Sequence, residues 1–125
     1  QAVYDYEAAA KFLKDYATLC KASSIRPAPI IFTLTPCGSQ KTLQFMKWLG
    51  IHIPKPVEDE LLKSANMLDA SVLHITQVFK KLYILGQNLG VSIGCNVESV
   101  AIRKSEIEAS IDLTHIVRTA MSGAK

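Results

Sequence analysis

Apolar residues recur at helical spacing in five stretches of the chain, and two short apolar runs lie between them. In residues 5–22 apolar side chains return every three or four positions after Asp5, a residue type that caps helices. The same spacing predicts helices from Ser39 to Gly50, from Val57 to about Met67, from Asp69 to Gly90, and from near Ser105, where Ser105 and Glu108 have capping-box spacing.

Of the two runs, Ile30–Leu34 is a predicted strand, and Val91–Val97 is a second predicted strand together with its following loop. The first run is apolar almost throughout, which is typical of a strand buried on both faces of a parallel sheet. Ala2–Tyr4 resembles the tail of a third strand. Strands that alternate with helices indicate a parallel α/β architecture. Because two strands would leave unpaired edges, we expect further strands from the same polypeptide or from a partner.

Composition and charge exclude several classes of function. The net charge is only +3, and the basic residues are scattered without an aromatic-containing stripe, which argues against nucleic-acid binding. No apolar run approaches the ~20 residues of a membrane span. The 3 cysteines are odd in number and far apart, which argues against a disulfide framework and favours an intracellular location, in the cytoplasm or the mitochondrial matrix. Neither they nor the histidines have metal-ligand spacing, so we expect no metal site.

Polar groups follow both predicted strands. Thr35, Cys37 and Ser39 flank Gly38 at a predicted helix N-terminus, where backbone amides can bind an anion or a carbonyl group. A capped loop with Ser39 as N-cap is the alternative. Cys37 is a poor candidate nucleophile, because neither a histidine nor a carboxylate lies near it in sequence. Asn96 belongs to the second predicted strand and its following loop.

Four landmarks, taken in order, resemble one enzyme family. The segment Gln1–Asp5 is similar to a Thr-Gln-x-x-Phe-Asp sequence at the end of a sixth barrel strand, and Ile30–Pro36 to a strand that ends in a proline turn. Phe45–Pro54 fits a helix followed by an aliphatic-x-aliphatic-Pro connector, and the long helix with Gly90–Ile93 fits a closing crossover and an eighth strand. By these landmarks the chain resembles the flavin-dependent methylenetetrahydrofolate reductases.

The resemblance implies a fold, an activity and a site. Residues 1–125 would be a single segment, the C-terminal part of a (β/α)8 TIM barrel with about the last three βα units, incomplete without strands from the same or another chain. The activity would be hydride transfer between NAD(P)H, FAD and a one-carbon folate substrate, with the FAD-binding residues outside this sequence. By their position on the barrel rim, the expected substrate-binding residues are Gln1, Thr35, Ser39 and Asn96. No catalytic residue is assigned, and a solvated side chain is the alternative for Gln1.

The chain departs from the family after the last predicted strand. The reductases have a Tyr-Thr-Leu-Asn-Arg run there, whereas residues 94–98 read Gly-Cys-Asn-Val-Glu, without the tyrosine and the arginine that help to bind substrate. The alternative function is therefore a non-catalytic, barrel-derived subunit of a larger assembly, for which the mitochondrion is one expected location. A self-contained helical binding module is a third reading. An oligomer or a complex is expected in the first two cases.

Overall fold

The computed structural model describes residues 2–123, and the order of its elements follows the apolar pattern of the sequence. The elements are α1 (Tyr6–Ala22), β1 (Ile30–Leu34), α2 (Gln40–Trp48), α3 (Lys55–Lys63), α4 (Met67–Leu89), β2 (Ile93–Val97) and α5 (Lys104–Gly123).

Three helices begin at a polar side chain that accepts a backbone hydrogen bond. Asp5 caps α1, Ser39 caps α2 and Asn66 caps α4, each at 3.1 Å from the amide nitrogen three residues later. Helix α4 ends at Gly90, whose φ of 73° is left-handed and easily reached only by glycine. The capping box predicted at Ser105 was wrong, because Ser105 already lies inside α5.

The two strands pair in parallel, with Ile30 opposite Ile93 at one end and Leu34 opposite Val97 at the other. On the other edge of β1, Ala2 forms a single parallel bridge with Thr33, and the Val3 amide donates to the Thr33 carbonyl at 3.0 Å. The expected third strand is therefore reduced to one bridge in the part of the chain that the structure describes.

The core lies between one face of this sheet and the helices. Phe32 and Leu34 are buried in it, whereas Ile31, which precedes Phe32 and faces the opposite side of the sheet, is 60% exposed. The prediction that β1 is buried on both faces was therefore wrong. Helix α4 comes close to β2 at Gly86, where an added Cβ would overlap Cγ1 of Ile93 and lie 2.8 Å from the Val91 carbonyl oxygen.

The predicted fold class, the C-terminal part of a (β/α)8 barrel, was also wrong. Residues 2–123 form a small helical domain around a two-stranded sheet of order β1-β2, without the further strands that a barrel segment needs. Strands that alternate with helices occur in every parallel α/β arrangement. The pattern therefore does not specify how many strands the sheet has or whether the sheet closes into a barrel. The expectation that other barrel strands are partners of this chain depended on that fold and has no other support.

Candidate functional site

The loops at the carboxyl ends of β1 and β2 meet beside the first turns of α2 and α5. The Glu98 amide extends the pairing of the strands by donating to the Leu34 carbonyl at 3.0 Å, and the Ser110 hydroxyl donates to the Glu98 carbonyl at 3.3 Å. This edge of a parallel sheet is where α/β proteins commonly bind ligands. It is the candidate site of the chain.

Glu106, in the first turn of α5, ties the two loops together. Its Oε1 accepts hydrogen bonds from the Gly38 amide at 2.8 Å and from the Thr42 hydroxyl at 2.9 Å. The side chain is buried, and its Oε2 has no hydrogen-bond partner among the described residues. Because an unpaired buried carboxylate oxygen is costly, this oxygen calls for a donor from water or a ligand.

Glu106 is not among the residues that the sequence predicted for the site. An acidic residue in the first turn of a helix is ordinary, since it complements the helix dipole. The local sequence contained no signal for its role, because the groups that it binds lie 64 and 68 positions earlier.

Tyr4 and Thr35 close the end of β1 nearer to α1. The buried Tyr4 hydroxyl donates to the Thr35 carbonyl at 2.6 Å, and the Tyr4 ring stacks on His74 at 5.8 Å. Burial raises the pKa of Tyr4 far above its usual value, so the phenol stays neutral and acts as a donor. The Thr35 hydroxyl is buried without a hydrogen-bond partner in residues 2–123.

Cys37 is enclosed beneath the same loop. Its amide donates to the Ser71 hydroxyl at 2.9 Å, and its Sγ lies 3.6 Å from the Ser39 carbonyl. Burial, aided by the charge of Glu106, raises the pKa of the thiol to about 11. At neutral pH the thiol is therefore protonated, which agrees with the poor rank of Cys37 as a nucleophile.

The four predicted binding residues have different surroundings. Ser39 caps α2 and also donates to the Thr42 hydroxyl at 3.0 Å, as the capped-loop alternative predicted. Asn96 is exposed within β2, and its side-chain amide donates to Glu98 at 2.6 Å. Thr35 and Ser39 share one loop, and Gln1 lies outside the described residues. Ligand contacts by these four residues stay predictions.

A cleft of about 320 Å³ opens beside this network. We call it the Lys41–Arg103 cleft: Lys41, Thr42 and Phe45 of α2 form one wall, and residues 100–103, between β2 and α5, form the other. Thr42 joins the cleft to the buried Glu106. Phe45 is 43% exposed and stacks on Trp48, with their ring centroids 5.8 Å apart. The cleft therefore combines two cations with apolar surface.

Within residues 2–123, no three or more His, Cys, Asp and Glu side chains are grouped so that they could hold a metal ion. None of the helices in this range has both the length and the apolar character needed to cross a bilayer.

Comparison with known proteins gives an informative likeness among solved structures. No family model matches the chain, and no curated protein matches it. A solved structure of an uncharacterized protein from Clostridium thermocellum, which binds two copies of 5-methyl-5,6,7,8-tetrahydrofolic acid, is similar to it with a TM-score of 0.85 and 49% identity. The match covers 96% of this chain and 41% of that chain, so the chain spans less than half the length of its relative.

These findings correct the functional expectations. Membership of the methylenetetrahydrofolate reductase family was a wrong prediction, as was the flavin-dependent hydride transfer that it implied: the structure has a two-stranded sheet, and the similar protein is described by its folate ligand. The alternative of a barrel-derived assembly subunit was wrong for the same reason. Nothing in residues 2–123 tests FAD binding, and that expectation came only from the reductase resemblance. The relative is bacterial and gives no support to a mitochondrial location. The chain is thus similar to a bacterial folate-binding protein of otherwise uncharacterized function.

Proposed function

We propose that the chain belongs to a protein that binds a reduced folate of the 5-methyltetrahydrofolate type. The observation that carries this proposal is the 49% identity, over 96% of the chain, to a protein that binds this ligand. Since the match covers 96% of the chain, it extends to at least part of the loops at the carboxyl ends of the strands as well as to the core.

The chemistry of the candidate site supports the proposal. The pterin ring of a reduced folate presents N–H donors on its pyrimidine edge, and carboxylate or amide oxygens are suitable acceptors for them. Glu106 offers an unpaired buried oxygen, and Asn96 offers an exposed amide at the same edge of the sheet. Thr35 and Ser39 supply hydroxyl groups nearby, and Gln1 remains a proposed contact on its residue type alone.

Titration calorimetry of the full-length protein with 5-methyltetrahydrofolate tests the proposal, and FAD is the comparison ligand. We expect saturable folate binding and an increase in the unfolding free energy of about 2.7 kcal/mol when the ligand is present at 100 times its Kd. The absence of saturable binding of any reduced folate at millimolar concentration would refute the proposal.

Asn96→Ala locates the binding in the candidate site. We expect it to weaken folate binding several-fold, because a ligand hydrogen bond contributes about 1 kcal/mol. Asn88→Ala is the matched control, since Asn88 is also exposed but lies at the opposite end of α4 from these loops. Equal losses in the two variants would place the ligand elsewhere.

A further inference from the structure

We propose that the Lys41–Arg103 cleft binds the glutamate end of the folate, with Lys41 and Arg103 paired to its carboxylates. This inference rests on the proposed function and specifies how one part of the ligand is recognised. A reduced folate carries an aminobenzoyl ring followed by one or more glutamates, so this end is aromatic and then anionic.

The two cations are available to a ligand. Both side chains are exposed, and within the described part of the chain neither has an ion-pair partner, whereas Lys11, Lys47 and Lys55 each have one. Glu106 is linked to the cleft through the hydroxyl of Thr42. Its Oε1 already accepts hydrogen bonds from Gly38 and Thr42. The positive charges of Lys41 and Arg103 are therefore available to pair with an anion of a ligand.

Lys41 also stands at an unfavourable position unless an anion is bound. It lies in the first turn of α2, which has no acidic residue there, whereas Arg103 immediately precedes α5, whose first turn contains Glu106. The partial positive charge of a helix N-terminus disfavours a cation and attracts an anion. Two exposed cations on opposite walls of the cleft, one of them at the N-terminus of α2, suit carboxylates.

Apolar surface separates the two cations. Ile102 is 97% exposed and Phe45 is 43% exposed, and both line the cleft. A flat aromatic ring placed between them would remove this surface from water. The same cleft thus fits the aminobenzoyl ring as well as the carboxylates.

The size of the cleft assigns an orientation. About 320 Å³ is near the lower limit for a drug-sized ligand and accommodates only part of a folate. The unpaired Oε2 of Glu106 needs a hydrogen-bond donor, and of the two ends of the ligand the pterin has N–H donors whereas the glutamate carboxylates have none. The pterin is therefore placed toward the strand ends and the glutamate toward the cleft mouth.

The test compares two ligands on the full-length protein by titration calorimetry: 5-methyltetrahydrofolate, and a 5-methyltetrahydropterin that lacks the aminobenzoylglutamate tail. We expect Lys41→Gln and Arg103→Gln each to weaken binding of the tailed ligand about tenfold and to leave the tail-less ligand unchanged. Lys11→Gln and Arg118→Gln remove the same charge from exposed positions of α1 and α5 outside the cleft, and both ligands should bind them as they bind the wild type.

Each alternative outcome is decisive. If the cleft variants bind 5-methyltetrahydrofolate as tightly as the wild type, the cleft is not the tail site, although folate binding itself stands. If they weaken both ligands equally, the effect does not involve the tail and the inference is overturned. If the wild type binds neither ligand, the proposed function fails together with the inference. Arg103→Lys, which keeps the charge, should retain most of the affinity and exclude misfolding as the cause.

Discussion

Glu106 holds together two segments that are far apart in sequence, and it does so from a buried position. Its carboxylate accepts the Gly38 amide and the Thr42 hydroxyl, while an added Cβ at Gly38 would lie 2.9 Å from its Oε1. The backbone of the β1–α2 loop thus rests directly on the side chain. A buried carboxylate of this kind stabilises the fold only while its hydrogen-bond donors stay in place.

Glu106→Ala is expected to lower the unfolding free energy by about 2 kcal/mol, because the partly buried Gly38 amide and the Thr42 hydroxyl lose their acceptor. Glu106→Gln keeps an acceptor oxygen and should lose about half as much. Urea unfolding measures both changes. Glu108→Ala is the control: its carboxylate is 61% exposed, so the change should stay within about 0.5 kcal/mol. Equal effects at the two positions would contradict the role given to Glu106.

The thiol of Cys37 gives a prediction in pH. Burial raises its pKa from 9.0 to about 11 in the folded protein, so the unfolded chain loses the proton first as the pH rises. The stability from this group is therefore complete below pH 9 and is lost as the pH passes through 11. Urea unfolding between pH 8 and 11 should show a shallower decline for Cys37→Ala than for the wild type. Rapid iodoacetamide labelling of native Cys37 at pH 7.5 would contradict the burial on which this depends.

At the scale of elements, apolar periodicity predicted where helices and strands lie along the chain, but not which residues surround each side chain in the fold. β1 spans the predicted residues, and Gly90 ends α4 as expected, because chain-local chemistry determines both. The exposure of Ile31 and the position of Ser105 inside α5 depend on which neighbours pack there, and no local pattern contains that information. The contact of α4 with β2 at Gly86 likewise depends on tertiary packing, so the local sequence did not predict it.

Gly86→Ala should destabilise the protein by about 1–2 kcal/mol. The new methyl group would overlap Ile93, and this overpacking outweighs the better helix propensity of alanine. Gly90→Ala tests a different cause at a nearby position, since its Cβ would meet no atom within 4 Å but φ is 73°. It should cost about 1 kcal/mol, and Gly90→Asn less. Thermal unfolding compares the three variants, and a stabilised Gly86→Ala would contradict the close approach.

At the scale of the whole molecule, the loops that follow parallel strands were predictable as a candidate site, and Thr35 and Ser39 do lie there. Glu106 and the Lys41–Arg103 cleft were not predictable, because their partners come from segments about 60 residues apart and meet only after the strands pair. The order of helices and strands was predicted correctly, whereas the barrel was wrong, because that order does not specify how a sheet continues or closes. Within residues 2–123, one face of the β1–β2 sheet is left exposed at Ile31.

That exposed face predicts dye binding. Beside Ile31 lies a groove of about 560 Å³ lined largely by apolar residues, among them Phe12 and Ile30. Residues 1–125 expressed alone should enhance the fluorescence of anilinonaphthalene sulfonate, and Ile31→Thr should reduce the enhancement. Leu73→Thr is the matched control, since Leu73 is also 60% exposed and does not line this groove. Equal reductions would mean that the dye binds elsewhere.

The pairing of Ile30 with Ile93 has a consequence for biosynthesis. Both walls of the Lys41–Arg103 cleft are in place only when β2 has joined β1 and α5 has brought Glu106 against Gly38. A chain that is still emerging from the ribosome therefore lacks this cleft until α5 has left the exit tunnel. Ligand added during translation should be bound only after that moment, so the time of binding would report when α5 packs against the β1–α2 loop.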